Sequence, residues 1–492
     1  MKQTQPLNRS KRAYRFRALL LLSTLASAAA CKSHPEDGGT PAATTTAAVS
    51  ALPAARASAT SVASAAPRQS PAPIVLSPAF PADVTVTNGA GGLPAIQADF
   101  DVFSWNSFIA ANWPPGADGN GDPHKQPGAA PSGDNPTVWE GWISTANVFL
   151  PGGKTPAWNA TPEIPAVCKA SYKPGMRIVR QVGKTPGILT DTIQPFKTGP
   201  LIDQNGNYAR FDIVINRPMF DYILSNGLYS KQGQKAFTGT VKFPCGSQGD
   251  AVGAVMIKAA WKILSDPAKE RAHFHSAEVL IYTPASTSPH IAETCRPGTV
   301  GLVGLHIAHK TNDAAQWVWS TFEHVDNAPR SAEVSAATGP YNFFDASCGA
   351  ACPAQNTAAP RPWDPNLKNS HHTQVVRLDT LLESEGFVPI SAHARNEDAN
   401  RLLRSVSSSS VWQYYRLDST QWPTDTQLGK CEAKAANPNG TPAPTFLANV
   451  TLETFIQGKT PGVSSSCIGC HGNAAMTNGK TSDFTYVLQV AQ

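Results

Sequence analysis

Four segments between residues 255 and 325 constrain the fold more than any other part of this 492-residue chain. In "VMIKAAWKI" (255–263), Val255, Ile257, Ala259, Trp261 and Ile263 alternate with Met256, Lys258, Ala260 and Lys262, the period of two that half-buries a strand. "SAEVLIYT", "TVGLVGLHIAHK" and "QWVWSTFEHV" continue in the same manner, separated by Pro, Gly, Asn and Asp. Successive strands without long helices between them favour an antiparallel sheet. Helical spacing is confined to the flanks. In "DFDVFSWNSFIAANWPP" (99–115), Phe100, Phe103, Ser107 and Ala110/Ala111 recur on one face until Pro114 ends the pattern. "TVWEGWISTANVFLP" (137–151) reads as a second short packed element. Residues 374 to 410 look helical, with Val376, Leu378, Leu381 and Leu382 on one face, and Asn396 could cap the helix carrying Leu402 and Leu403. The expected fold class is α+β: an antiparallel β-rich central domain with flanking helices and a short C-terminal segment. The 42 prolines and 37 glycines argue against long helical bundles. No internal repeat is evident.

The ends of the chain differ from this middle. Lys2, Arg9, Lys11, Arg12, Arg15 and Arg17 precede the apolar run Ala18 to Ala30, so residues 1–30 read as an export signal. Cys31 follows Ala28-Ala29-Ala30 as in signals cleaved before a cysteine that is then acylated, although Ala28 stands where leucine is usual. Cleavage by an ordinary signal peptidase is the alternative. Residues 31–79 read as a disordered Ala/Thr/Ser/Pro tether, which suits an anchor at Cys31 and a membrane association through it. Residues 80–330 are expected to form the β-rich core, and 331–492 a loop-rich and helical region ending in the segment discussed next. Setting aside the six cations of the signal turns the formal net charge of +5 into −1, and no basic cluster remains for a nucleic acid.

That last segment is "SSSCIGCHGN" (464–473). Cys467-Ile468-Gly469-Cys470-His471 is the c-type haem attachment signature, in which two thiols form thioethers with the porphyrin and the adjacent imidazole ligates the iron. With nine Cys and 12 His in the chain, chance would produce it about 0.004 times. Zinc would need a second ligand pair at comparable spacing, and none is present. A thioredoxin-type pair would open a long helix inside a βαβ unit, for which no room follows Cys470. A Cys467–Cys470 disulfide would be tight and would leave His471 unexplained. One covalent haem c per chain is the expectation. Six further cysteines, Cys168, Cys245, Cys295, Cys348, Cys352 and Cys431, permit three disulfides, with Cys348–Cys352 the nearest local pair.

With these residues, and with "WNSFIAANWPP", "GLVGLHIAHK", "QWVWSTFEHVDNAP" and "SVWQYYRLDSTQWP", the chain resembles large bacterial exported proteins called cytochrome c family proteins. The resemblance covers most of residues 99–492 and implies roles only for Cys467 and Cys470 as thioether anchors and His471 as proximal ligand. In the small cytochromes the motif lies near the amino terminus and a later methionine supplies the sixth ligand. Here Met476 is too close to His471 to reach the opposite face of the ring, so any sixth ligand comes from upstream. In the extended "LVGLHIAHK", His306 and His309 point to opposite faces. His306, with Gly304 leaving room on its face, is the chosen sixth ligand. His273, His275, His324, Met176, Met219 and Met256 are the other candidates, each more simply read as a core residue. "DGNGD" (Asp118, Asn120, Asp122) spaces oxygens like a calcium loop but lacks its glycine and terminal glutamate. Electron transfer with a redox partner protein or small-molecule donor or acceptor is the leading functional expectation. A haem-dependent peroxidase or oxygenase with an open distal position is the alternative, so catalysis is left open. A binding module with structural haem is the third.

Overall fold

In a computed structural model, the described residues are 72–86, 93–128, 136–180, 198–246, 251–314, 317–371, 373–378, 389–424 and 442–492. The chain divides into two units, Met1–Ser64 and Ala65–Gln492. The first, with the signal and Cys31, lies outside the described residues, as does the tether up to residue 71.

The protein has an α+β fold built on one large, mainly antiparallel sheet. Its strands are β1 (Ile143–Ser144), β2 (Arg177–Val179), β3 (Arg210–Ile215), β4 (Val255–Ile263), β5 (Ser276–Thr283), β8 (Thr294–His309), β9 (Val318–His324), β10 (Tyr415–Pro423) and β11 (Pro442–Ala443). A separate ribbon holds β6 (Ser286–Thr287) and β7 (His290–Ile291). The main path runs β1-β3-β4-β8-β9-β10-β11; β5 pairs with the first half of β8, and β2 lies parallel to β5. Residues on both sides of position 330 therefore belong to the same sheet. The helices are α1 (Leu93–Ala111), α2 (Thr145–Val148), α3 (Arg217–Ser225), α4 (Lys231–Ala236), α5 (Pro267–Glu270), α6 (Pro389–Val406) and α7 (Cys467–His471).

The alternating strands form as expected, but β4 is buried along its whole length, because both faces of the sheet are covered. One face carries α1 and α6 over Ile257, Leu305, Phe322 and Leu417. Ser104 of α1 meets Ser320 and Thr420 at 2.7 and 2.6 Å. Lys262, in the alternate set of β4, is neutralised by Glu270 at 2.7 Å and bonded to Asn342 at 3.0 Å. The helix of the C-terminal half starts later than expected: Val375 and Val376 are buried and lie outside any helix or strand, and Leu381 and Leu382 lie outside the described residues. Asn396 is not a cap. Its carbonyl oxygen accepts from the Trp105 indole (3.1 Å) and the Leu417 N–H (2.8 Å), and its amide donates to Leu417 O (3.0 Å), beside a register shift in β10. Packing also begins before Phe80, with Ile74 and Leu76 against the main core.

Cys348–Cys352 is a disulfide, Cys168 joins Cys295, and Cys245 is disulfide-bonded as well.

Candidate haem-attachment site

The second face of the sheet receives the C-terminal segment. Strand register sets out its rows: Met256, Ala308, Trp319 and Gln421 form one, and Lys258, His306, Thr321 and Ser419 the next. The motif docks on the first row. Ile468, Met476, Phe484, Val487 and Leu488 join Met256, Ala308, Trp317 and Trp319 in one buried cluster.

The motif itself is the short helix α7. Ser466 caps it by accepting from the Gly469 N–H (3.1 Å), the usual use of a serine at this position. Gln421, buried in β10, accepts from the Ile468 N–H (2.8 Å) and the Ser466 hydroxyl (3.1 Å), so the sheet holds the start of the helix. Gly469 faces the Gly462 backbone, and a Cβ there would collide with the Gly462 carbonyl. Cys467 and Cys470 are half-buried thiols.

His471 is oriented from three sides. Its Nδ1–H donates to Phe484 O at 2.8 Å, and its ring lies 4.3 Å from Trp319 and 5.1 Å from Tyr486. Tyr486 in turn donates to Cys470 O (2.9 Å). A proton held on Nδ1 leaves Nε2 as the nitrogen carrying the lone pair, the tautomer that a metal-ligating imidazole needs. The Phe484 carbonyl is presented by two consecutive left-handed residues, Asp483 (φ 52°) and Phe484 (φ 63°). For residues other than glycine this is strained, and the surroundings must impose it. They do so through a buried ion pair between Asp483 and Lys310 and a 2.7 Å bond from the Phe243 N–H to Asp483. Burial pushes the Asp483 carboxyl up and the Lys310 ammonium down, and each charge opposes the shift of the other. Gln234 of α4 closes the far end. It accepts from the Thr477 N–H (2.9 Å) and donates to Leu488 O (2.8 Å).

The loop after α7 repeats the loop after α1. Met476 N–H to Lys480 O (2.8 Å) and Ser482 N–H to Ala474 O (3.1 Å) match Gly116 N–H to Asn120 O (2.6 Å) and Asp122 N–H to Pro114 O (2.9 Å). Gly479 (φ 81°) stands where Gly119 (φ 83°) does. The likeness, faint in the letters, accounts for "DGNGD". Asp118 accepts from the Asn120 N–H at 3.0 Å just as Asn478 accepts from Lys480, so its spacing serves a turn.

His306 lies on the motif's face, one row from Trp319. Its Nε2 is 2.9 Å from Glu453 Oε2 and its Nδ1 3.2 Å from Thr321 Oγ1. The space above Gly304 holds Thr451. His309 points to the other face, fully buried near Phe103 and Phe80. His324 is a core residue, with Nε2 bonded to His273 O (2.9 Å). His273 and His275 do not share a face: His275 is buried beside Glu140 (3.1 Å) and Trp412, whereas His273 is half-exposed against Tyr414. Met219 and Met256 fill the core.

Among the described residues, no group of three or more His, Cys, Asp and Glu is arranged to hold a metal ion, and no helix is long and apolar enough to cross a membrane. The supports of the motif, Gln421, Gln234, Lys310 and Asp483, carry no local signal in the sequence, because each lies in an ordinary polar run such as "SKQGQKAF" or "GKTSDFTY". No family model matches the chain, and comparison with curated proteins and with solved structures finds no match either.

Proposed function

We propose that this protein is an exported c-type cytochrome with one covalent haem, acting in electron transfer. The observation that carries the reading is the Cys467-Ile468-Gly469-Cys470-His471 helix, capped and held on the sheet, with the His471 Nδ1 proton committed to Phe484 O. Cys467 and Cys470 would hold the porphyrin through thioethers, and His471 Nε2 would ligate the iron. Bound haem supplies a one-electron couple whose potential follows axial ligation, hydrogen bonding and burial. The chain's own part is to fix the imidazole. Phe484 O keeps the Nδ1 proton in place, Trp319 and Tyr486 restrict rotation of the ring, and the Lys310–Asp483 pair holds the strained turn. His306 is the proposed sixth ligand. It would have to release Glu453 or Thr321 to serve, and the resulting exchange partner would be a redox protein or a small-molecule donor or acceptor. Export, and anchoring through an acylated Cys31, belong to the same proposal. Fatty-acid labelling that depends on Cys31 would support the anchor, and an unacylated soluble wild type would remove it.

Produced in a host with cytochrome maturation, the protein should keep haem on a denaturing gel, and Cys467→Ala with Cys470→Ala should lose it. Covalent haem on the double variant would refute the assignment.

A second reading, a haem-dependent oxidoreductase with an open distal position, is favoured by one observation. His306 has both ring nitrogens engaged, and its pairing with Glu453 is an acid/base arrangement rather than that of an idle ligand. Carbon monoxide separates the two. Low-spin iron that resists it, and becomes reactive in His306→Ala, supports the carrier. Ready binding by the wild type supports the enzyme.

A further inference from the structure

Most buried cations in this fold sit against a carboxylate: Arg177 on Asp212, Arg377 on Glu323, Lys262 on Glu270 and Lys310 on Asp483. Arg210 does not. It lies on β3 opposite Trp261 and is 1% exposed. Its Nη2 donates to two neutral acceptors, Thr283 Oγ1 (3.3 Å) and Pro365 O (3.4 Å), while Nε and Nη1 have no partner among the described residues. Burial, with Arg296 nearby, lowers its pKa to about 10, so it remains charged at neutral pH.

Pro365 is also a wall of a cleft of about 370 Å³, shared with Tyr208, Leu264, Arg296, Asn366 and Lys368. This is the lower end of the range for small-molecule sites. None of the described residues lining it is acidic. Arg296 and Lys368 are exposed, and neither makes an ion pair with a described residue. The neighbouring Asp364 is turned to the Asn366 N–H (2.9 Å) and does not line the cleft. Arg296 and Lys368 thus line the concavity, with no acidic side chain in its lining, and Arg210 lies behind its Pro365 wall, bonded to the Pro365 carbonyl; a buried guanidinium lacking a counter-charge is unfavourable unless something supplies it.

We infer that this cleft binds a small oxyanion, a carboxylate or phosphate group, held by Arg296 and Lys368 with Arg210 providing fixed positive charge from beneath. Guanidinium groups match the planar geometry of such groups, and Leu264 and Tyr208 give an organic ligand an apolar surface. The site is separate from the motif. Arg296 and Ala308, at opposite ends of β8, are roughly 40 Å apart along an extended strand.

The test is titration calorimetry of the full chain with sodium phosphate and, separately, sodium succinate, against sodium chloride at matched ionic strength. At least one anion should bind saturably below ~10 mM, the affinity that two charge-assisted hydrogen bonds already provide. Arg296→Gln should weaken it at least about tenfold, and Arg296→Gln with Lys368→Gln should abolish it. Succinate binding alone assigns a carboxylate, and phosphate binding alone a phosphate. No saturable binding of either, or unchanged binding by the double variant, overturns the inference. Arg210→Met should lose binding while its melting temperature in chloride stays level or rises, and unchanged affinity would remove Arg210 from the site. The two surface variants decide the matter even if Arg210→Met does not fold.

Discussion

His309→Leu should make this protein resist acid better. His309 is completely buried, neither ring nitrogen has a hydrogen-bond partner, and burial holds its pKa at about 3 against an ordinary 6.5. Its folded pKa is depressed, so between pH 6.5 and 3 the unfolded chain binds a proton that the native one does not. Stability from this group is therefore complete above 6.5 and falls as the pH is lowered. At ~1.36 kcal/mol per pH unit, two units of acidification, from pH 6.5 to 4.5, remove about 2.7 kcal/mol. Leucine has nothing to protonate and removes two unsatisfied polar atoms, so the variant should be at least as stable as wild type at pH 7. Its advantage should grow by about 2.7 kcal/mol at pH 4.5. Comparing the two proteins cancels the opposing contributions of Asp326, Asp418 and Asp483, whose carboxyls burial pushes up in both. Urea unfolding at both pH values with disulfides intact measures the difference. An equal gap between wild type and variant at pH 7 and 4.5 would refute the reasoning.

Two further perturbations probe the motif. Gly469→Ala pushes a methyl group into the Gly462 carbonyl, a backbone neighbour that cannot step aside. It should cost about 1–3 kcal/mol and reduce the yield of covalent haem, and an unchanged urea midpoint would disprove the contact. Lys310→Met leaves Asp483 buried without its counter-charge and should destabilise by about 3–5 kcal/mol. Adding Asp483→Asn, which keeps the left-handed turn, should recover most of that loss in the same assay.

The strands were legible because alternation records which side chains face one way, and it separated His306 from His309 correctly. It could not say what covers each face. Lys258 and Lys262 stand in the alternate set of β4, yet both are buried, one over the Phe211 ring and the other against Glu270. Nor could it place Asn396, whose partners are a tryptophan of α1 and a backbone segment of β10. Cys467 to His471 could be singled out from five letters because the pattern is contiguous in the chain. Its supports could not, since Gln421, Gln234 and Lys310 reach it across 47, 243 and 173 positions of chain. The repeated loop is hard to see in the sequence because backbone hydrogen bonds define it and only an Asx-Gly pair, Asp118-Gly119 and Asn478-Gly479, is shared.

Residues 467–492 dock on α4, β4, β8, β9 and β10, all earlier in the chain, and contribute no strand to the sheet. Energetically they behave as a tethered peptide ligand on a preformed receptor, with an effective concentration of order millimolar. Such a ligand can release while the receptor stays folded, by an opening smaller than global unfolding. The half-buried Cys467 and Cys470 thiols of a chain without haem should then alkylate at a rate set by that release. Mild urea, well below the main transition, should accelerate labelling before the disulfide-linked sheet gives way.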